Sequence, residues 1–215
     1  MTVELILRFG AVALVAFLFG SIPVSFLMGK FIYGIDPREH GSGSAGATNS
    51  ARAMGGRAGL AVGVLDIAKG WCAVGAARWL LVPQATFDRD LMWWAVGIAT
   101  LAVMLGHAYS PWIGFRGGKG VGVAGGACLA IWPPLFFLEL GIWFVIGLTT
   151  RYISIASITI ACLLPIWAFV FTPIRSTGLI VCCVGAALLV VWLHRTNIQR
   201  LMQGQENKLS FGGRS

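Results

Sequence analysis

Charged residues are scarce in this sequence. Of its 215 residues only 11% are Asp, Glu, Lys or Arg, whereas 57% are hydrophobic, and the mean hydropathy is +0.81. A water-soluble globule of this size needs much more polar surface, so the composition excludes that class and predicts an integral membrane protein. Internal repeats and a long polar segment are also missing. We therefore predict a single transmembrane domain over residues 1–215.

Residues typical of metal and nucleic-acid sites are few or scattered. The five cysteines all fall in apolar runs without a C-x-x-C spacing, so they are interpreted as small hydrophobic side chains. No acidic pair suited to a metal ion is found, and we expect no metal and no cofactor. The net charge of +8 comes from basic residues spread over several loops. Membrane topology explains such a distribution better than binding to nucleic acid does.

Long apolar runs predict the membrane helices. The first run, from Val3 to Met28, lacks the basic start and the small-residue end of a cleaved signal peptide, and it is predicted to be a span with a kink at Pro23. The run from Val121 to Thr149 is interrupted at Trp132-Pro133-Pro134, so it could be one kinked span or two short ones. The predicted spans cover about 3–28, 57–82, 91–108, 121–131, 134–149, 153–171 and 176–193.

The distribution of basic residues selects seven spans. With a turn at Pro133-Pro134, eleven of the sixteen Lys and Arg residues lie on one side, whereas one kinked span would remove this asymmetry. Basic loops stay in the cytoplasm. The predicted fold is therefore an all-α integral membrane protein with seven transmembrane helices, some short, and with re-entrant or partly ordered cytoplasmic loops. The N-terminus is predicted to lie outside and the C-terminus in the cytoplasm.

Two opposite charges lie within the second span. Asp66 and Lys69 are three residues apart and therefore share one face of a helix. A charge at membrane depth is costly, so we predict that the two side chains pair with each other. A structural ion pair is favoured over a catalytic role.

The first polar loop contains the glycine-rich stretch Gly41-Ser-Gly-Ser-Ala-Gly-Ala-Thr-Asn49, followed by Arg52. Glycine allows backbone conformations in which consecutive N–H groups form an anion-binding concavity. Taken alone, a Gly/Ser run is also typical of a flexible connector. Its position between two apolar spans, beside a cation, favours binding of a phosphate carried by a lipid-like molecule.

Two further polar stretches face the same side. Lys119 lies among Gly117, Gly118 and Gly120, twelve residues after His107, and this pattern lacks the spacing of a Walker A motif. Arg116 or Lys119 could contact a second phosphate, or both could anchor the chain to lipid headgroups. His194 and Asn197 follow the last span and share a face if the helix continues. Histidine can accept a proton and asparagine can orient a substrate.

The three stretches together resemble the bacterial acyl-phosphate:glycerol-3-phosphate acyltransferase family, PlsY. The resemblance covers nearly the whole chain and rests on three ordered motifs: G-S-G-S-A-G-A-T-N with Arg52, G-H-x-x-S with F-R-G-G-K-G-V, and H-x-x-N-I-x-R-L-x-x-G-x-E-x-K. Two departures are Ser44, where the family usually has Asn, and Gly122-Val123, where it usually has Ala-Thr. The resemblance implies seven helices, a cytoplasmic site and acyl transfer from acyl phosphate to the 1-hydroxyl of sn-glycerol 3-phosphate, yielding lysophosphatidic acid and phosphate.

Site assignments follow from the resemblance and the chemistry together. Acyl phosphate is already activated, so neither a covalent intermediate nor a metal is required. The predicted catalytic residues are Lys119, His194 and Asn197, and the proton acceptor is either His194 or a substrate phosphate with a second pKa of about 6. The predicted acyl-phosphate-binding residues are Ser42, Gly43, Gly46, Ala47, Thr48 and Asn49. The predicted glycerol-3-phosphate-binding residues are Arg52, His107, Lys119, Asn197 and Ser154, with Ser157 as the alternative serine.

Other function classes fit the sequence less well. A phosphate or phospho-metabolite transporter would also use a cationic pocket, but such proteins often have duplicated halves and polar sites at mid-membrane. A purely structural membrane subunit would leave the three polar motifs unexplained. The H-x-x-x-x-D motif of other glycerolipid acyltransferases is missing, which indicates a different active site. We expect a monomer in the bacterial cytoplasmic (inner) membrane whose partners are its two substrates and the bilayer, without nucleic acid.

Overall fold

The computed structural model describes residues 3–85, 89–171 and 176–209, and all of the regular elements in these ranges are helices. The predicted loop Thr172–Arg175 and the basic residue Arg214 lie outside the described residues. Short 3-10 helices occur at Pro37–Glu39 and Pro111–Ile113, and a π-helical turn at Gly29–Tyr33. The α-helices are α1 (Val3–Ser21), α2 (Val24–Met28), α3 (Ala47–Met54), α4 (Gly56–Ala85), α5 (Arg89–Ala108), α6 (Val121–Ile131), α7 (Pro133–Thr150), α8 (Ile153–Phe171), α9 (Thr177–Leu193) and α10 (Arg195–Met202).

The prediction of an all-α integral membrane protein is confirmed. Five helical segments, built on α1, α4, α5, α7 and α8, are long and apolar enough to cross a bilayer. Helix α9 reaches that length only together with α10, which follows it across a 54° bend. Helix α6 is the shortest of the helices that match predicted spans, and its 11 residues extend about 16 Å at 1.5 Å per residue. These seven apolar helices correspond to the seven predicted spans.

The helices run alternately up and down between two ends of the molecule. At one end Arg8 near the start of α1 donates from a guanidinium nitrogen to the carbonyl of Leu80 in α4 at 2.9 Å. Ser176, just before α9, donates there to Asp90 at the start of α5. At the other end Lys119, before α6, donates to Asn197 in α10. The glycine-lysine loop and the C-terminal stretch therefore share one face, which we call the polar face.

Helices α6 and α7 form a tight hairpin. Trp132 separates them in an extended conformation, with φ −150°, and Pro133 occupies the first position of α7, where its missing N–H removes no helical hydrogen bond. Across the hairpin a Cβ added to Gly125 would lie 3.4 Å from the ring of Phe136. The start of α6 and the start of α8 both border one pocket. The turn at Pro133-Pro134 is therefore confirmed.

The predicted kink of the first span at Pro23 is confirmed, and the apolar segment continues past Met28 to Tyr33. Helix α1 ends at Ser21, and α2 restarts at Val24 after Pro23. The break frees two carbonyls, and Lys69 Nζ donates to both, to Ile22 O at 2.9 Å and to Gly20 O at 3.3 Å. The same ammonium pairs with Asp66 Oδ1 at 2.9 Å. The predicted ion pair is confirmed, and it stabilises the broken helix as well as α4.

Other predicted boundaries shift by a few residues. The second span was expected to end near Val82, with a polar connection from Pro83 to Asp90, whereas α4 continues through Pro83 to Ala85 and α5 begins at Arg89. The first polar loop was expected to be re-entrant or partly ordered, and it contains the short helix α3. Proline is tolerated near a helix end when tertiary packing supports the turn before it.

Glycines allow the helices to approach closely. A Cβ on Gly70 of α4 would lie 1.9 Å from Val123 O, and one on Gly126 of α6 would lie 1.9 Å from Ile67 O. The backbones of α4 and α6 therefore contact each other directly, as small residues permit in membrane proteins. This contact sets the depth at which the start of α6 meets the polar face.

Candidate active site

A pocket of about 250 Å³ opens at the polar face and extends into the helical bundle. Its polar end is bordered by all three motif regions, and its deeper end by apolar side chains of α7 and α8. Of the twelve residues predicted for the site, Gly43 alone does not line this pocket. The residues that do are Ser42, Gly46, Ala47, Thr48, Asn49, Arg52, His107, Lys119, Ser154, His194 and Asn197.

The glycine-rich loop owes its shape to Asn49. Gly41 and Gly43 adopt φ +58° and +72°, values that favour glycine. The Asn49 side chain is almost fully buried, accepts from Ser42 N at 2.8 Å through Oδ1 and donates to Pro37 O at 2.7 Å through Nδ2. Asn49 thus uses its amide to hold the loop, and Gly43 contributes its backbone conformation at an exposed turn.

Three helices begin at the pocket. Gly46 precedes α3 and Gly120, with φ +77°, precedes α6, and neither helix start has a side-chain cap. Helix α8 begins there with Ile153 and Ser154. The first N–H groups of a helix lack intrahelical partners and carry partial positive charge. Their convergence makes the polar end of the pocket suited to anions.

A hydrogen-bonded chain joins the second and third motif regions. Lys119 Nζ donates to Asn197 Oδ1, and Asn197 Nδ2 donates to Glu206 Oε1 at 2.6 Å. The same oxygen accepts from Ser154 Oγ at 2.9 Å, and Arg200 Nε donates to Oε2 at 2.8 Å. Glu206 therefore connects the C-terminal stretch to α8 and α10. It also orients the Asn197 amide, whose oxygen then holds the Lys119 ammonium.

Cations outnumber acids at this end of the pocket. Burial lowers the pKa of Lys119 to about 8; Glu206 opposes this effect, and Arg200 and Arg52 add to it. Burial would raise the pKa of Glu206, but hydrogen bonds from Asn197, Arg200 and Ser154 outweigh it and hold that pKa below its usual range. Arg52 donates to Asn207 O at 3.3 Å. Three cations surround one carboxylate, which leaves positive charge available for a phosphate.

His194 lies just past the end of α9, at the bend before α10. It is 3% exposed, and its Nδ1 is 2.8 Å from Val190 O, so Nε2 is the ring nitrogen that can accept a proton. Burial, followed by the neighbouring Lys119 ammonium, lowers the pKa of His194 to about 4. The imidazole is therefore neutral near pH 7. The helix bends by 54° at His194, so the condition for His194 and Asn197 to share one helix face is not met, yet both side chains line the pocket.

His107 packs against the glycine-lysine loop on the side that faces the helical bundle. Its Nδ1 lies 3.4 Å from Lys69 Nζ and 3.6 Å from Asp66 Oδ1. Gly117 N and Gly118 N donate to Ala108 O and His107 O, and a Cβ on Gly118 would lie 2.1 Å from His107 Nε2. The loop therefore packs directly on the imidazole, and only glycine fits at that position.

The two candidate serines differ in their partners. Ser154 is bonded to Glu206, whereas Ser157 Oγ accepts from Trp143 Nε1 at 3.1 Å. Both hydroxyls are buried and both residues line the pocket. Ser154 lies at the polar end, and Ser157 lies one helical turn deeper.

Sequence reasoning missed several residues of this pocket. Glu206 and Arg200 belong to the third motif but were not assigned to the site. They are six residues apart, a spacing that does not predict contact on a helix, and they form an ion pair because the chain turns after α10 ends at Met202. Trp143 and Glu139 lie in α7, where an apolar run offers no signal for a site except the single carboxylate itself. Arg116, one of two candidate cations, does not line the pocket, whereas Lys119 does.

Comparisons with known proteins agree with this arrangement. The family model described as glycerol-3-phosphate acyltransferase matches residues 10–204. The chain is 40% identical over 215 residues to the glycerol-3-phosphate acyltransferase of Thermosynechococcus vestitus, covering 97% of this chain and 98% of the relative. It is 35% identical over 235 residues to the protein of the same name from Chlorobaculum tepidum, covering 96% and 98%.

Solved structures give the same result. The fold matches PlsY (YgiH), an integral membrane glycerol 3-phosphate acyltransferase, in its glycerol 3-phosphate form with a TM-score of 0.83 and 33% identity, covering 94% of this chain and 96% of that chain. The match to the lysophosphatidic acid form of that protein has a TM-score of 0.80 at the same identity, covering 94% and 95%. The chain therefore belongs to the glycerol-3-phosphate acyltransferase family, as its three motifs and its polar-face pocket indicate.

Proposed function

We propose that this protein transfers a fatty acyl group from acyl phosphate to the 1-hydroxyl of sn-glycerol 3-phosphate, yielding lysophosphatidic acid and inorganic phosphate. The observation that carries the proposal is the convergence of three helix N-termini with Lys119 and Arg52 on one pocket. Two phosphorylated substrates must be brought together, and such a site supplies N–H donors and cations for both. The relatives' names support glycerol 3-phosphate as the acceptor.

The shape of the pocket supports an acyl donor that is itself phosphorylated. Its polar end adjoins α3 and α6, whereas its deeper end is bordered by Phe136, Leu140 and Trp143. A donor with a phosphate head and an apolar tail fits both parts at once. We assign the head to the Ser42 to Asn49 loop and the start of α3, with the tail running between α7 and α8.

Glycerol 3-phosphate is assigned to the opposite wall of the polar end. Arg52 and Lys119 bind its phosphate, together with Ser154, His107 and Asn197, which also line the pocket. The contact between Lys119 and Asn197 holds the ammonium in place before substrate binds. Because both substrates are held in one pocket, proximity and orientation supply a large part of the rate enhancement.

The reaction balances without a metal or a covalent enzyme intermediate. The oxygen of the 1-hydroxyl attacks the acyl carbonyl carbon, a C–O ester bond forms, and the bond from that carbon to the phosphate oxygen breaks. The hydroxyl proton passes to His194 Nε2 or to a substrate phosphate, and inorganic phosphate leaves. Lys119 and the N–H groups at the start of α6 stabilise the negative charge on the departing phosphate.

The membrane orientation belongs to the same proposal. We place the polar face in the cytoplasm of a bacterium, in its inner membrane, with the N-terminus outside and the C-terminus inside, and we propose that the protein acts as a monomer. The basic residues of the polar face support this orientation through the positive-inside rule. The acceptor, glycerol 3-phosphate, is charged and water-soluble, so a cytoplasmic opening gives it direct access.

The donor is tested with purified protein in detergent. Acyl phosphate and glycerol 3-phosphate are supplied together and singly, and phosphate release and lysophosphatidic acid are measured. We expect both products only when both substrates are present. Equal release of phosphate without glycerol 3-phosphate would contradict acyl transfer, and activity with acyl-CoA but not acyl phosphate would overturn the donor assignment. Binding without turnover, together with counterflow of glycerol 3-phosphate in liposomes, would favour a transporter.

A further inference from the structure

A buried carboxyl group lies in the apolar end of the pocket. Glu139 of α7 is 8% exposed and borders the pocket. Its Oε1 atom has no hydrogen-bond partner among the described residues. A buried polar atom without a partner is costly, and natural structures seldom retain one without a function. The proposed reaction does not use this group.

The position of Glu139 follows from the contacts between α7 and α8. Ser154 adjoins the polar chain through Glu206, and Ser157, three residues deeper in α8, is bonded to Trp143 of α7. Glu139 precedes Trp143 by four residues and lies on the same face of α7, about one turn farther from the polar face. The three residues from Ser154 to Ser157 and the four from Trp143 to Glu139 together place Glu139 about 10 Å deeper than Ser154, at 1.5 Å per residue.

The surroundings of this carboxyl are apolar. Phe136, Leu140 and Ile160 border the same part of the pocket. Cys128 and Cys183 lie close enough to interact electrostatically with the carboxyl and are themselves buried. A ligand that fills this region therefore meets hydrocarbon on most sides and one hydrogen-bonding point.

We propose that Glu139 determines the specificity for the acyl chain, by favouring chains that carry a hydroxyl group near the middle over plain chains. The inference rests on the proposed function, since it requires the acyl tail to occupy this part of the pocket. A plain methylene chain packed against Glu139 excludes water and leaves Oε1 without a partner. A mid-chain hydroxyl supplies that partner, and sites built around a hydrogen bond discriminate strongly against ligands that lack it.

The test compares acyl donors of one length. Plain octadecanoyl phosphate competes with octadecanoyl phosphates that carry one hydroxyl near the carbonyl, at mid-chain or near the methyl end. The ratio of kcat/KM for each hydroxylated donor to that for the plain donor is measured for the wild type, Glu139→Met and Glu139→Gln. The matched control is Phe137→Met, because Phe137 lies two residues before Glu139 in α7 but has an exposed side chain.

We expect Glu139→Met to lower the ratio for the mid-chain hydroxyl by about tenfold, which corresponds to the loss of one hydrogen bond to a buried polar group. The ratios for the other two positions stay unchanged. Glu139→Gln keeps a hydrogen-bonding group and retains most of the preference, and Phe137→Met behaves as the wild type does. If Glu139→Met does not fold, Glu139→Leu replaces it, with thermal unfolding in detergent as the check.

Two results would overturn the inference. One is an unchanged mid-chain ratio in the folded apolar variant, and the other is an equal shift at all three hydroxyl positions, which would indicate general polarity of the pocket. Either result leaves acyl transfer by the wild type intact. Failure of the proposed function is recognised separately, because the wild type would then transfer none of the acyl groups.

Discussion

The position of Lys119 depends on a chain of side-chain hydrogen bonds at the polar end of the pocket. Lys119 is held by Asn197, which is held by Glu206, and it lies near the two cations Arg52 and Arg200. Burial and these cations lower its pKa to about 8, so a modest rise in pH removes its charge. The binding of a phosphate therefore depends on pH through this one side chain.

We expect kcat/KM for glycerol 3-phosphate to fall about tenfold for each pH unit above the Lys119 pKa of about 8, because kcat/KM follows the free enzyme. Lys119→Arg stays charged and should lose this alkaline decline, at a lower kcat/KM near neutral pH. Steady-state kinetics between neutral and alkaline pH provide the measurement. A parallel decline in both proteins would contradict the assignment.

The alkaline decline is distinguishable from unfolding by its sign. The pKa of Lys119 is about 8 in the folded protein, against 10.5 for an unperturbed lysine. Between these two values the unfolded chain binds more protons, so this group makes the protein more stable as pH rises. The contribution of Lys119 to the unfolding temperature should therefore rise across the pH range in which activity falls.

Of the two candidate proton acceptors, the substrate phosphate is favoured, and His194 is expected to position the substrate. A general base works best when its pKa lies near the working pH, and that of His194 is about 4. We expect His194→Gln to lower kcat by about tenfold to a hundredfold but to keep an acid limb of the pH profile near the phosphate pKa of about 6. Lys119→Ala should lose more activity. If the acid limb disappears in His194→Gln, the histidine is the proton acceptor.

At the scale of helices, the site depends on how closely α6 approaches α4. The start of α6 supplies Gly120 and Val121 to the pocket, and the depth of this helix is set where Gly70 and Gly126 allow backbone contact. Added side-chain volume at such a contact forces the helices apart. Helix α6 contacts α4 more extensively than it contacts α5 or α7, so its position depends mainly on this packing.

Gly70→Ala is expected to destabilise the protein by about 1–3 kcal/mol and to lower kcat at least tenfold, because its Cβ would lie 1.9 Å from Val123 O. Gly75→Ala on the same helix is the control, since a Cβ there meets nothing within 4 Å. Thermal unfolding in detergent and kcat are measured for both. Equal stability and activity in the two variants would show that the contact between α4 and α6 does not position the site.

At the scale of the whole molecule, the chain brings its polar motifs to one face by alternating direction. Arg8 and Asp90 make their contacts at the opposite face, with Leu80 and Ser176. Arg151, after α7, donates to Leu209 O at 2.9 Å, so the C-terminal stretch crosses the polar face. This stretch supplies Glu206, which lines the pocket and bonds to Ser154 and Asn197, so the site is complete only when the stretch is in place.

Membrane orientation is tested by introducing one additional cysteine at a time, at an exposed position near each end of the described chain. Val3 is 75% exposed at the start of α1, and Met202 is 84% exposed at the end of α10. In spheroplasts an impermeant maleimide should label Val3→Cys, and it should label Met202→Cys only after permeabilisation. The wild type, with its five native cysteines, gives the background. The reverse pattern would place the polar face outside the cell.

Much of the candidate site could be predicted because its residues differ sharply from an apolar background. Glycine loops, Lys119 and His194 stand out in a chain that is 57% hydrophobic, and hydrophobic runs of bilayer length predict the spans between them. Predictions failed where backbone hydrogen bonding depends on tertiary contacts. The kink at Pro23 was predicted, but not that Lys69 donates to the carbonyls of Gly20 and Ile22 there, and Pro83, expected to begin a connection, lies within α4.

The amino-acid sequence by itself determined the class of protein, the number of apolar helices and the chemistry of the three motifs, since these depend on local composition and periodicity. Only the tertiary structure decided which polar atoms are already engaged. Asn49 is bonded within its loop, Glu206 orients Asn197, and the Oε1 atom of Glu139 has no hydrogen-bond partner in the part of the chain that the structure describes. Such differences arise from contacts between residues far apart in the chain, which no local pattern records.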